Sequence, residues 1–136
     1  MNTDINHEHL TLVQGVINRL AGNSFALKGW SVTLVSALLA LAVSEAKLDL
    51  VVVALLPAVV FWGLDGYFLA QERLFRNLYE RLIAEECKVP DFSMKTAPLT
   101  AARWFLAVRS VTLWSFHGAV ILVVLCVLIW SPTNAS

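Results

Sequence analysis

Residues 50–70 read LVVVALLPAVVFWGLDGYFLA, and Asp65 is the only charged side chain among them. A helix needs about 20 predominantly apolar residues to cross roughly 30 Å of hydrocarbon, and this stretch meets that length. Two further stretches read the same way, residues 25–44 from Phe25 to Ser44 and residues 111–130 from Val111 to Trp130. The chain has 136 residues, of which 15% are charged and 58% hydrophobic, so three such segments leave too little polar sequence to coat a water-soluble core. The expected fold is an all-α integral membrane protein with three transmembrane helices.

The basic residues orient it. The loop from Glu45 to Asp49 holds only Lys47, whereas Arg19, Lys28, Arg73, Arg76, Arg81, Lys88, Lys95, Arg103 and Arg109 precede or open span one or lie between spans two and three. Lys and Arg concentrate on the cytoplasmic side, which places the N-terminus and the long second loop inside and the uncharged tail, Ser131 to Ser136, outside. Trp30, Tyr67 and Trp114 mark one interface and Trp130 the other. The first 24 residues carry Asp4, Glu8, Gln14 and Arg19, unlike the short basic region and apolar stretch of a cleaved signal.

Span two does not stop at the interface. Residues 71–86 continue in strong helix formers with no Gly or Pro until Pro90; Leu74, Phe75, Leu78 and Leu82 share a face, and Glu72–Arg76 and Arg76–Glu80 are i,i+4 pairs. A helix over 50–86 is about 55 Å long at 1.5 Å per residue, so its last third protrudes as a stalk. Pro57 is expected to kink it within the outer leaflet. Beyond Pro90 and Pro98, Thr100 is the expected N-cap of a helix over 99–110 that runs on into span three. An antiparallel hairpin centred near Asp91 sets Asp65 beside His117, Glu72 beside Arg109 and Glu80 beside Arg103. Spans two and three are therefore expected to extend into a cytoplasmic helical hairpin. Ahead of span one, Leu10, Val13, Ile17 and Leu20 make residues 8–22 an amphipathic helix. With Arg19 its one Lys or Arg, that helix is expected to pack on the stalk rather than lie on lipid. Gly22-Asn23-Ser24 reads as a break before span one.

An ionisable side chain inside a span is a functional hypothesis by default. Asp65, with His117, is the candidate for a pore, gate or proton-linked role, and a structural contact between spans two and three is the competing account. Span one carries small residues at Gly29, Thr33, Ala37, Ala40 and Ser44, with Ser36 on a parallel line. Small residues let helix backbones approach closely in lipid, so Gly29, Ala37 and Ala40 are candidates for helix packing or homo-oligomer contact. Thr33, Ser36 and Ser44 are candidates for lining a narrow pore. His7-Glu8-His9 has no further ligands and HExxH is absent, so no metal site is expected. Cys87 and Cys126, without a CxxC, read as free thiols. No nucleophile elbow, phosphate-cradling Gly loop or cofactor motif occurs. Formal net charge is zero and the stalk arginines interleave with glutamates, so no nucleic-acid partner is predicted.

An amphipathic helix followed by three spans is similar in layout to the small bacterial diacylglycerol and undecaprenol kinases, which would imply a lipid-modifying membrane enzyme. Those kinases carry an acidic/Asn/acidic/acidic row along one span; anchoring it on Asp65 and Glu72 puts Phe68 and Arg76 at the other two positions. The likeness is thus one of architecture, with Asp65, Glu72 and His117 as its only candidate cluster. The strings Ile17-Asn18-Arg19-Leu20-Ala21-Gly22-Asn23-Ser24, Lys28-Gly29-Trp30-Ser31-Val32-Thr33-Leu34 and Leu64-Asp65-Gly66-Tyr67-Phe68-Leu69-Ala70-Gln71-Glu72-Arg73 look like those of small bacterial multi-span membrane proteins. Such proteins resemble membrane effectors of antiviral defence loci. That resemblance, over residues 10–85, implies an inner-membrane homo-oligomer that perturbs or perforates the bilayer on a signal from a cytoplasmic partner or ligand. An accessory subunit docking a cytoplasmic protein through the stalk is a further expectation.

Overall fold

In the computed structural model, described over residues 2–84 and 92–133 with side chains over 7–84 and 92–130, four helices form: α1 Asn2–Ser44, α2 Leu48–Ala84, α3 Ala101–Val108 and α4 Val111–Thr133. Three of them are long and apolar enough to cross a membrane, within His7–Ser44, Leu48–Ala84 and Val111–Trp130. α2 is central. It lies along α1 and carries α3 and α4 as well.

The turn between α1 and α2 is short because α1 ends in a left-handed cap. Ala46 takes φ 51°, and Lys47 N–H reaches back to the Ala42 carbonyl at 3.1 Å, the six-to-one bond of a Schellman motif. Beyond it the two helices run back to back. Val35 and Ala42 of α1, Val51, Ala54 and Ala58 of α2, and Val124 of α4 form one apolar cluster near this turn. Ala54 and Ala58 have side chains small enough to bring backbones together, the packing that substitutes for a hydrophobic drive in lipid. Val13 and Ile17 of α1 and Leu78 of α2 form a second cluster at the far end, flanked by Phe75, Tyr79 and Leu82. The N-terminal helix thus packs on the stalk, through the apolar stripe seen in the sequence.

Three expectations are corrected. α1 is continuous through Gly22-Asn23-Ser24. Gly22 faces open space, and the Ser24 hydroxyl turns inward to a partner on α2, so neither residue acts as a breaker. The segment before span three is also not one helix. Thr100 caps α3 as expected, accepting from Arg103 N–H at 3.4 Å, but α3 ends at Val108. Ser110 then caps α4, its hydroxyl accepting from Leu113 N–H at 3.5 Å.

The third concerns the stalk. α3 does not run down α2. Trp104 Nε1–H donates to the Gly63 carbonyl at 3.0 Å, while Trp62 Nε1–H donates to the Val108 carbonyl at 3.0 Å. One turn of α3 therefore sits on one turn of α2. The expected pairs Glu72–Arg109 and Glu80–Arg103 do not form: Glu72 accepts from Arg76 (2.8 and 2.7 Å), and Arg103 donates to the Pro98 carbonyl at 2.8 Å. Among the described residues, the stalk is a pairing of α1 with α2. Residues 85–91, which include the expected hairpin centre, lie outside the described residues.

Gly66 makes the α2–α3 contact possible. A Cβ there would overlap the Val108 Cγ2 methyl and lie 3.3 Å from the Val108 Cα, whereas one at Gly63 would meet only Trp104, at 3.6 Å. Gly66→Ala should therefore destabilise the protein by about 1–3 kcal/mol, and Gly63→Ala by less than about 0.5 kcal/mol. Thermal unfolding in detergent micelles checks the difference, and Val108→Ala should restore part of the Gly66→Ala loss.

Candidate functional site

Between the two apolar clusters lies a polar one, built by α1, α2 and α4. Ser24 and Lys28 are one turn apart on α1, and Lys28 Nζ–H donates to the Ser24 hydroxyl at 2.9 Å. Asp65, on α2, receives them both: Lys28 Nζ stands 2.5 Å from Asp65 Oδ2, and the Ser24 hydroxyl donates to Asp65 Oδ1. His117, on α4, brings Nε2 to 2.9 Å from the same Oδ2. A carboxylate only accepts, so this ring nitrogen carries the proton. Asp65 and His117 are wholly buried, while Lys28 keeps 18% of its side chain exposed.

Aromatic rings close the cluster off. The Trp62 indole stacks on the His117 ring with centroids 6.1 Å apart and planes 10° from parallel. Phe116 meets His117 edge-on at 5.1 Å, and Lys28 Nζ lies 6.0 Å from the Phe116 centroid. His117 Nδ1 and the Ser31 hydroxyl, one turn beyond Lys28, are buried without a hydrogen-bond partner among the described residues.

The arrangement is a largely buried ion pair with a histidine on its flank. Removing two charges from water is costly, and the cost is recovered only with close geometry and further hydrogen bonds. Both conditions hold here, because Asp65 receives three donors from two neighbouring helices. The cluster thereby fixes the relative depth of α1, α2 and α4. A cation seeking Asp65 would have to displace an ammonium group already on Oδ2. No group of three or more potential metal ligands occurs among the described residues.

The other sequence candidates fall elsewhere. The structure joins Asp65 to His117 but not to Glu72, which is two turns along α2 and holds Arg76. Gly29, Thr33, Ser36, Ala37, Ala40 and Ser44 are all exposed, on the side of α1 turned away from Lys28 and Val35. Two of their hydroxyls bond to α1 itself, Thr33 to the Gly29 carbonyl at 2.9 Å and Ser44 to the Leu41 carbonyl at 3.1 Å. Asp65 and this small-residue face thus lie on opposite sides of α1. A polar groove of about 310 Å³ runs between α1 and the stalk, lined by Gln14, Ile17, Asn18, Arg76, Tyr79 and Glu80. No protein-family model, curated protein or solved structure matches the chain.

Sequence reasoning paired Asp65 with His117 but did not include Lys28 and Ser24. Their signal was present: Lys28 lies 18 residues before Ala46 and Asp65 lies 19 after it, so folding at the turn sets them face to face. The prediction is a thermodynamic cycle. Lys28→Met or Asp65→Asn alone should cost about 3–5 kcal/mol, because each strands a buried partner, and the double variant should cost less than either single change. Ser24→Ala should cost about 1 kcal/mol. Unfolding of the purified protein in detergent measures all four, and additive effects would show that the pair is not coupled.

Proposed function

We propose that the chain is a small self-associating inner-membrane protein, an effector or channel-like component that permeabilises the bilayer on a signal from a partner. The observation that carries this reading is the outward face of α1. Gly15, Gly22 and Gly29 recur at seven-residue intervals up to Ser36, and a Cβ at any of these glycines would meet nothing within 4 Å. Thr33, Ala37, Ala40 and Ser44 continue the same open face. Nothing else in the described fold covers it, and in lipid the part of this row within span one, from Gly29 to Ser44, favours close helix contact with a second copy.

The Lys28–Asp65–His117 cluster has a different part in this proposal. It holds each subunit's three spans in register, so that α1 presents its small face at a fixed depth. Asp65 then acts on the assembly from within the subunit instead of standing at a pore mouth. Thr33, Ser36 and Ser44 come together only where α1 helices of several copies meet. In the orientation favoured by the basic residues, the N-terminus and stalk face the cytoplasm and α4 ends in the periplasm. The groove lined by Gln14, Asn18, Arg76 and Glu80 then faces the compartment of a cytoplasmic partner, which also supports the accessory-subunit reading. The lipid-modifying reading has less support, because a carboxylate saturated by three donors is poorly placed to act on a substrate.

Two measurements test the proposal. With the native cysteines replaced, a cysteine at Ser36 or Ala40 should cross-link between copies in native membranes, and Ala37→Leu with Ala40→Leu should weaken association about ten-fold. Dye or ion release from proteoliposomes of the wild-type chain should fall in parallel. A protein that stays monomeric in nanodiscs and releases nothing would leave the accessory-subunit reading in its place.

A further inference from the structure

We infer that the α3–α4 elbow is a binding surface for anionic phospholipid headgroups, seated in the headgroup layer at the stalk end of the spans. The inference depends on α4 crossing a bilayer and not on whether the protein conducts. Its first support is placement. α3 is held against residues 62–66 of α2, beside the buried Asp65, and α4 becomes a candidate span three residues after α3 ends. A helix so held lies where the hydrocarbon of span three begins, not out in solvent along the stalk.

The second support is its two-sided chemistry. α3 turns Trp104, Ala107 and Val108 toward α2, and Phe105 and Leu106 outward with 59% and 67% of their surface free. Val111 and Trp114, in the first turns of α4, are exposed by 85% and 62%. Arg103 and Arg109 bracket Phe105 and Leu106 along the chain, Val111 and Trp114 follow Arg109, and both arginines are exposed. An amphipathic surface of this kind, apolar groups beside arginines, suits the boundary between acyl chains and headgroups.

The third is charge. From Phe92 to Ser136 the sequence contains no Asp or Glu, but it contains Lys95, Arg103 and Arg109. Lys28, Lys47 and Arg76 have carboxylate partners, while Arg19, Arg73 and Arg81 have none among the described residues. Among the described residues neither elbow arginine has one either, and the Arg103 guanidinium donates only to the Pro98 carbonyl. A guanidinium has five donors in a planar fork that matches phosphate oxygens. A local excess of positive charge with no acid paired to it among the described residues favours a lipid of net negative charge over a zwitterionic one.

The test uses the full chain in mixed phosphatidylglycerol and phosphatidylcholine nanodiscs, with lipids retained on ejection counted by native mass spectrometry. Wild-type protein should retain phosphatidylglycerol in preference, and the preference should fall about five-fold for each of Arg103→Gln and Arg109→Gln. Arg103→Lys with Arg109→Lys should keep most of it, and Arg81→Gln on the stalk should leave it unchanged. A salt titration of the wild type needs no variant: the preference should collapse toward 1 M salt. Equal retention of the two lipids by the wild type, a salt-independent preference, or an Arg81→Gln effect as large as that of Arg103→Gln would each overturn the assignment.

Discussion

The contact between Lys28 and Asp65 decides how the rest of the chain can pack. In lipid, apolar side chains gain little by leaving one hydrocarbon environment for another, so a row of Val and Leu leaves two helices free to slide. A charge buried at one depth does not permit sliding, because a shift of even one turn strands it. Asp65 stands between an apolar cluster at the α1–α2 turn and another on the stalk, and both depend on the register it sets. His117 extends the same constraint to α4, whose remaining contacts with α1 are few. One carboxylate therefore sets the depth of three helices.

That constraint also explains which parts of the fold were legible in the sequence. The three apolar stretches were plain, since a backbone in hydrocarbon must bond to itself and only long apolar helices or closed barrels meet that condition. Thr100 as a cap and the Val13–Ile17 stripe were local signals, read from neighbours in the chain. What misled was any signal whose meaning is set by tertiary partners. Gly22, Asn23 and Ser24 have the composition of a turn, but Ser24 has a bond to Asp65 that only the folded helix can make. Arg103 and Arg109 matched stalk glutamates by counting from an assumed hairpin. The paired indoles of Trp62 and Trp104 hold α3 against Gly63 and Gly66 instead, and no counting rule includes them.

The candidate site was half legible for a related reason. An acid inside a span draws attention by itself, and a histidine at matching distance from the second turn was within reach of the same arithmetic. By position Lys28 reads as a topology signal near an interface, which is where lysines most often belong. Its long stem allows both roles, since 18% of the side chain stays exposed while the ammonium group sits on Asp65. A basic residue that satisfies the charge rule can thus also be the buried partner, and sequence position alone does not separate the two.

The division of α1 into two faces follows from the same bond. With Ser24, Lys28, Ser31 and Val35 turned to the interior, helical geometry forces Gly29, Thr33, Ser36 and Ala40 to the exterior. The inner face is specified by charge and cannot be exchanged for another partner without exposing Asp65. The outer face is specified only by small size, and no packing within the described fold depends on it. α1 is also continuous over 43 residues, about 65 Å, from the stalk to the far turn. A displacement of its stalk end would therefore be resisted at Asp65 and carried along one continuous helix, whose outer side carries the small residues.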